Sequence, residues 1–245
     1  RPGAATIKLT RLLAVTGDPV SADGLSSKAK LGTLFTPAIA DTGSVVARVT
    51  IVNGKKKLGG IFESLPDGTS HIRAVQGADA PGIDNAKFKS FYDPVISESG
   101  TFAFLAKLSG KGVPKTAVYR RLLFFGATIV QPVLQQGKPL GESGQLSELS
   151  VKSISGISSR GNYILALVTL TGVDVNKTNN RALIAIDAAG TASVLLRTGA
   201  QITVNSEDSE IKTISVLANT KGATGHGRSQ ASQRTAARLG LKDGR

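Results

Sequence analysis

Three observations predict an all-β protein built as a β-propeller-like array of about four four-stranded antiparallel blades. Marker glycines recur at a near-constant interval, apolar residues alternate with a period of two beside them, and short turn signals separate the alternating runs. Gly17, Gly77, Gly137 and Gly199 each close a β-like segment (LLAVTG, IRAVQG, PVLQQG, VLLRTG), at steps of 60, 60 and 62 residues. A second series, Gly43, Gly100 and Gly161, steps by 57 and 61.

The same order of elements is expected in each period. After the marker glycine comes a polar loop (DPVSADGLSS, ADAPGIDNA, KPLGESGQ), then a first strand ending in PAIADTG, PVISESG or SGISSRG. A second strand follows (SVVARVTI, TFAFLAKL, NYILALVTL), clearest in Phe102, Phe104, Ala106 and Leu108, which alternate as on a buried sheet face. A loop rich in Gly, Lys and Asn leads to a third strand (GGIFESL, TAVYRRL, RALIAID), and PDG, FFG or AAG turns the chain into the fourth. Gly68, Gly126 and Gly190 lie 9, 11 and 9 residues before the next marker glycine, the spacing of a hairpin turn followed by a strand of ordinary length. A lone sheet cannot cover both of its faces, so the units must stack, and radial stacking of four-stranded sheets is a propeller.

These signals divide a single repeat domain, 1–245, into units of approximately 18–77, 78–137 and 138–199, with 200–245 incomplete. Residues 4–17 supply a fourth strand to another unit, while IKTISVLAN (211–219) and TAARLGL (235–241) read as a first and a second strand. Two arrangements follow. Either the N-terminal strand closes a small ring with the last unit, or the chain is a fragment of a larger propeller, the preferred expectation. Phe35, Phe88, Phe91, Phe102, Phe104 and Tyr163 are expected in the core.

Composition narrows the chemistry. With 40% apolar residues and 28 glycines the chain suits a globular protein rich in turns, and with no Cys it uses neither disulfides nor zinc-thiolate sites. Without Met, even at position 1, it reads as a processed or truncated product, and no apolar run approaches the roughly 18 to 20 residues that span a bilayer. The net charge of +13 favours an anionic partner or surface.

The candidate contacts with an anion or partner are basic. Lys55, Lys56 and Lys57 sit in a loop between second and third strands, Arg120 and Arg121 on a third strand, and Arg228, Arg234 and Arg238 near the C-terminus. Only eleven aromatic residues are present, most at core positions, which leaves few stacking platforms for single-stranded nucleic acid or sugar rings and disfavours nucleic acid. His71 and His226 lack an activated nucleophile motif, so neither is expected to be catalytic. The run Gly222 to Ser229 lacks the spacing of a phosphate-binding loop. Asp174, Asn176 and Asn179, and Asn205, Glu207, Asp208 and Glu210, offer oxygen ligands without the pattern of an EF-hand, and read as solvated loops. Asn176-Lys177-Thr178 fits an N-glycosylation acceptor. No cofactor, metal or catalytic residue is assigned.

PVISESGTFAF, with its Pro94, Gly100 and Ala103-Phe104, resembles the NxxGxxAF motif of bacterial choice-of-anchor tandem-repeat proteins. Gly225-His226-Gly227-Arg228 is similar to the GxxGR-like run of a later repeat in that family, followed here by AARLGLKDG. The motif Asn is replaced by Ala40, Ser97 and Ser158, and only one copy keeps the Ala-Phe pair. The resemblance covers most of the chain. It implies an exported protein of the periplasm or cell surface, without catalytic residues to carry over.

The resulting expectation is a non-enzymatic scaffold or accessory subunit that binds a protein partner or larger assembly. The alternative is a module for anionic glycan or lipid head groups. An enzyme with its active centre in a propeller channel is the third reading.

Overall fold

The computed structural model describes residues 14–97, 99–124, 127–142, 144–216 and 237–242. The first strand of each unit is shaped by one position. Pro37 and Pro94 cannot donate to a ladder, so the strand breaks there into β1 (Lys30–Leu34) and β2 (Ala38–Ile39), and into β6 (Lys87–Phe91) and β7 (Val95–Ile96). Ser155 stands at the matching place before Gly161, and β11 (Leu149–Arg160) runs unbroken with a register shift between Ile154 and Gly156.

Three sheets follow the expected order. The first holds β3 (Val45–Asn53), β4 (Lys56–Ser64) and β5 (Ser70–Val75) in the path β1-β3-β4-β5, with β2 also on β3. The second holds β8 (Phe102–Ser109), β9 (Thr116–Phe124) and β10 (Ala127–Gln135) in the path β10-β9-β8-β6, with β7 also on β8. The third is β11-β12-β13-β14, with β12 (Tyr163–Gly172), β13 (Arg181–Ile186) and β14 (Ala192–Arg197), reached through a short 3-10 turn at Gly144–Leu146. Every pairing is antiparallel.

The fourth sheet departs from that order. It is β15 (Gln201–Val204), β16 (Glu207–Val216) and β17 (Ala237–Leu241), paired in sequence. β16 and β17 carry the expected first and second strands, and Val216 pairs with Ala237. β15 is additional: Asn205 and Ser206, both at positive φ, make the tip of a tight hairpin where a solvated loop was expected. The strand expected from 4–17 lies largely outside the described residues.

Two small devices repeat. Gly43, Gly68, Gly100 and Gly190 take positive φ, and their amides donate to Ala40, Leu65, Ser97 and Asp187 three residues back. Each marker glycine joins the end of one unit to the next: the amides of Gly17, Gly77, Gly137 and Gly199 donate to the carbonyls of Leu31, Phe88, Val151 and Ile211 at 2.7 to 2.8 Å. The return bonds run from the amides of those four residues to the carbonyls of Asp18, Ala78, Lys138 and Ala200. These paired bonds fix the linker loops against the next sheet.

Sheets stack face to face in chain order, because alternate residues of one strand go to opposite cores. From β8, Phe102, Phe104, Ala106 and Leu108 pack with Val46, Ile61 and Ala74 of the first sheet, while Ala103 and Leu105 pack with Val151, Ile164 and Ile184 of the third. Leu165, Leu183 and Ala185, on the far side of the third sheet, meet Ile211, Ile214 and Leu241 of the fourth. The aromatic centre was only partly foreseen. Tyr119 is fully buried and stacks on Phe104 at 5.5 Å, with Phe88 at 5.0 Å. Tyr163, expected in the core, is instead 49% exposed, since it opens β12 beside the Gly161-Asn162 turn. Phe35 is half-buried beneath the Arg48 guanidinium, 3.8 Å from its ring.

Candidate lysine-rich surface

The stacked sheets have two ends. One carries the first-to-second and third-to-fourth strand turns around Gly43, Gly68, Gly100, Gly161 and Gly190, and is called the turn end. The other carries the second-to-third strand loops and the linkers held by the marker glycines, and is called the loop end. Lysines gather at one of these ends; arginines are not sorted in that way, since Arg181 and Arg197 stand in the loop-end half of the third sheet.

Every described lysine lies at the loop end. Lys55 follows the Asn53-Gly54 turn, Gly54 supplying the positive φ, and Lys56 and Lys57 open β4 opposite Asn53 and Val52. All three are exposed. Lys30 pairs with Val52, Lys87 with Ser109 and Lys107 with Thr116, so each sits in the loop-end half of its sheet. Lys111 and Lys115 occupy the loop before β9, Lys138 the linker after Gly137, Lys152 the start of β11, and Lys177 the loop before β13. In the fourth sheet Lys212 Nζ donates to the carbonyl of Lys242. Carboxylates share this end: Asp18, Asp23, Asp84, Glu142, Glu148 and Asp174 are exposed in its linkers and loops, Lys87 Nζ lies 2.6 Å from Asp79, and Lys242 Nζ 3.5 Å from Glu210. The first pair is exposed and the second joins an exposed lysine to a half-buried Glu210, so both contribute little to stability.

Lys111 and Lys138 also line a cleft of about 420 Å³ with Asp84, Asn85 and Gln135. It opens between the linker that precedes β6, the loop that precedes β9 and the end of β10. In the third unit Arg197, which stands where Gln135 does relative to the marker glycine, donates from Nε to the carbonyl of Asn179 at 2.7 Å.

Arginines serve another purpose. Glu63 on β4 is fully buried, and its Oε2 accepts from Arg73 Nε of β5 at 2.6 Å. Arg121 of β9 reaches across from the second sheet: its Nη1 is 2.9 Å from Glu63 Oε1 as an ion pair, while donating its hydrogen bond to the carbonyl of Gly100 at 3.2 Å. Oε1 takes no hydrogen bond among the described residues, so Arg121 meets it as an ion pair. Arg120, next on the same strand, points the other way. It donates to the carbonyls of Asn162 and Asp187 in the third sheet, and burial lowers its pKa from the usual arginine range against the opposing pull of Asp187. Arg48 Nε meets Asp93 at 3.0 Å between the first and second sheets.

The residues singled out from sequence therefore separate. Lys55, Lys56 and Lys57 lie on the lysine-rich surface. Arg120 and Arg121 are not on an open surface but tie neighbouring sheets together, because the alternation of β9 sends each into a different interface. Arg238 is exposed on β17, and Arg228 and Arg234 lie outside the described residues, as does His226. His71 is exposed on β5. Asn176 and Asn179 organise their own loop: Asn176 Oδ1 accepts from the amide and hydroxyl of Thr178, and Asn179 Oδ1 from the amide of Asn176. Among the described residues no group of three or more His, Asp or Glu side chains is placed to hold a metal ion. Nor is any helix among them long and apolar enough to cross a membrane.

Sequence reasoning missed most of this surface. Lys30, Lys87, Lys107, Lys111, Lys138, Lys152 and Lys177 are scattered singly along the chain, and only their position relative to the marker glycines places them together. That signal was present, since each falls near a loop-end boundary of its unit.

The model of a family of unknown function (DUF7453) matches residues 10–236, and the chain belongs to that family. No curated protein matches the chain.

Proposed function

We propose that the chain is a non-catalytic, propeller-like repeat module, exported to the periplasm or cell surface, that serves as a scaffold or accessory subunit for a protein partner or larger assembly. The observation that carries this reading is the clip repeated at Gly17, Gly77, Gly137 and Gly199, which holds the linker loops of successive units at one end of stacked sheets. Loops fixed on a rigid support suit binding, since little ordering entropy is lost on contact. The buried Glu63 and Arg120 ties serve the same rigidity, and the resemblance of PVISESGTFAF to the NxxGxxAF repeats supports export and a surface setting. In this reading each sheet is a blade.

Size-exclusion chromatography with light scattering, on protein drawn from its source organism under mild conditions, tests the proposal. The chain should travel in an assembly well above its own 25.3 kDa. A lone monomer under those conditions would count against the scaffold role. A second reading, contact with an anionic glycan or lipid surface, is favoured by the gathering of lysines at the loop end.

A further inference from the structure

We infer that the loop end docks the protein on an anionic lipid bilayer. The inference deepens the second reading above and does not depend on a protein partner. Four features of the end argue for a membrane over other polyanions.

The first is the sorting of cations. Lysines occupy the loop end, whereas Arg48, Arg73, Arg120, Arg121 and Arg197 are engaged between strands or sheets, and Arg181, exposed at the start of β13, is an arginine that shares the loop end with the lysines. A lysine ammonium is a mobile point charge on a flexible stem, suited to head groups that diffuse laterally; arginine forks suit fixed phosphate or carboxylate positions. The second is breadth. Lysines come from the first sheet (Lys55, Lys56, Lys57), the second (Lys111, Lys115), the third (Lys177) and the fourth (Lys242), so the charge is spread across the stack and not confined to one groove. Near a bilayer the surface potential adds the attraction of each lysine that comes within a Debye length.

The third is the lack of stacking platforms at this end among the described residues. The exposed tyrosines are Tyr92, against which Lys107 lies, and Tyr163 at the turn end; neither offers a free ring face at the loop end for a sugar or base. The fourth is a pair of exposed apolar side chains at that end. Val15 beside Gly17 and Val173 in the loop after β12 are 44% and 63% exposed. Small aliphatic tips among lysines can enter the interface beneath the head groups while the ammonium groups stay at their level.

The test is co-sedimentation of the full chain with vesicles of phosphatidylcholine alone and of phosphatidylcholine with phosphatidylglycerol. Binding is expected to the mixed vesicles only, and to weaken at least about tenfold between low and physiological salt. The combined variant Lys55→Glu, Lys56→Glu and Lys57→Glu should bind mixed vesicles at least about tenfold more weakly. Its thermal melting should match the parent, because these side chains are exposed at a hairpin turn. A second variant, Lys111→Glu with Lys115→Glu, should act in the same direction from the second sheet. Failure of the parent to bind mixed vesicles at low salt would overturn the inference, as would binding that neither variant weakens. Preferential binding to an acidic polysaccharide or to DNA, with no vesicle binding, would overturn it in favour of those polymers. The scaffold reading would be untouched by either result.

Discussion

Tyr119 and Glu63 show how single residues set the character of the core. Tyr119 is buried among phenylalanines with no partner for its hydroxyl among the described residues, and burial pushes its pKa well above the usual tyrosine value. Above a pH of about 10 the unfolded chain loses that proton while the folded chain keeps it, so stability must fall as pH rises. Tyr119→Phe should therefore leave neutral-pH stability within about 1 kcal/mol of the parent and reduce the alkaline loss, both read from urea unfolding across pH. Glu63 behaves oppositely. Glu63→Ala leaves Arg73 and Arg121 facing each other without their shared carboxylate, and should cost about 3–5 kcal/mol in the same measurement. Neither role was legible in the sequence. Glu63 sits in GIFESL, an alternating strand, and its partners lie on other strands, so that no local pattern marks it as buried.

At the scale of elements, turns were read well and strand interruptions poorly. Gly43, Gly68, Gly100 and Gly190 stand out in sequence because only glycine takes positive φ without strain, and the structure uses each in that way. Gly100→Val should destabilise by about 1–3 kcal/mol, since a β-branched residue tolerates that φ of 86° poorly. Its Cβ would also stand 3.1 Å from Thr42 Oγ1 and 3.3 Å from Ser44 Oγ. Unchanged thermal melting would contradict the turn. The additional strand β15 escaped notice for the complementary reason: its hairpin turns on Asn205 and Ser206, where no glycine signals the reversal. The unbroken β11 offers a sharper check. Ser155 falls at a register shift and matches Pro37 and Pro94, so Ser155→Pro should lower the melting temperature far less than Val168→Pro, which removes a paired position of β12.

For the whole molecule, the period of the marker glycines was enough to place four sheets in order. It could not say how the sheets face one another or which cations would end up between them. That outcome depends on which side of β9 each residue takes, a question of register settled only by pairing with β8. Arg121 thus became a tie to the first sheet and Arg120 a tie to the third, while the described lysines gather at the loop end. A stack with Arg120 and Arg121 between its sheets and its described lysines at one end is the arrangement on which both the proposed scaffold role and the proposed membrane contact rest.

A double-mutant cycle between Glu63 and Arg121 probes that stacking most directly, because the two residues belong to different sheets. Unfolding free energies of Glu63→Gln, Arg121→Met and the double variant should give a coupling toward the upper part of the roughly 0.5–3 kcal/mol range for residues in contact. A coupling of zero would mean that the first and second sheets do not pack face to face as described.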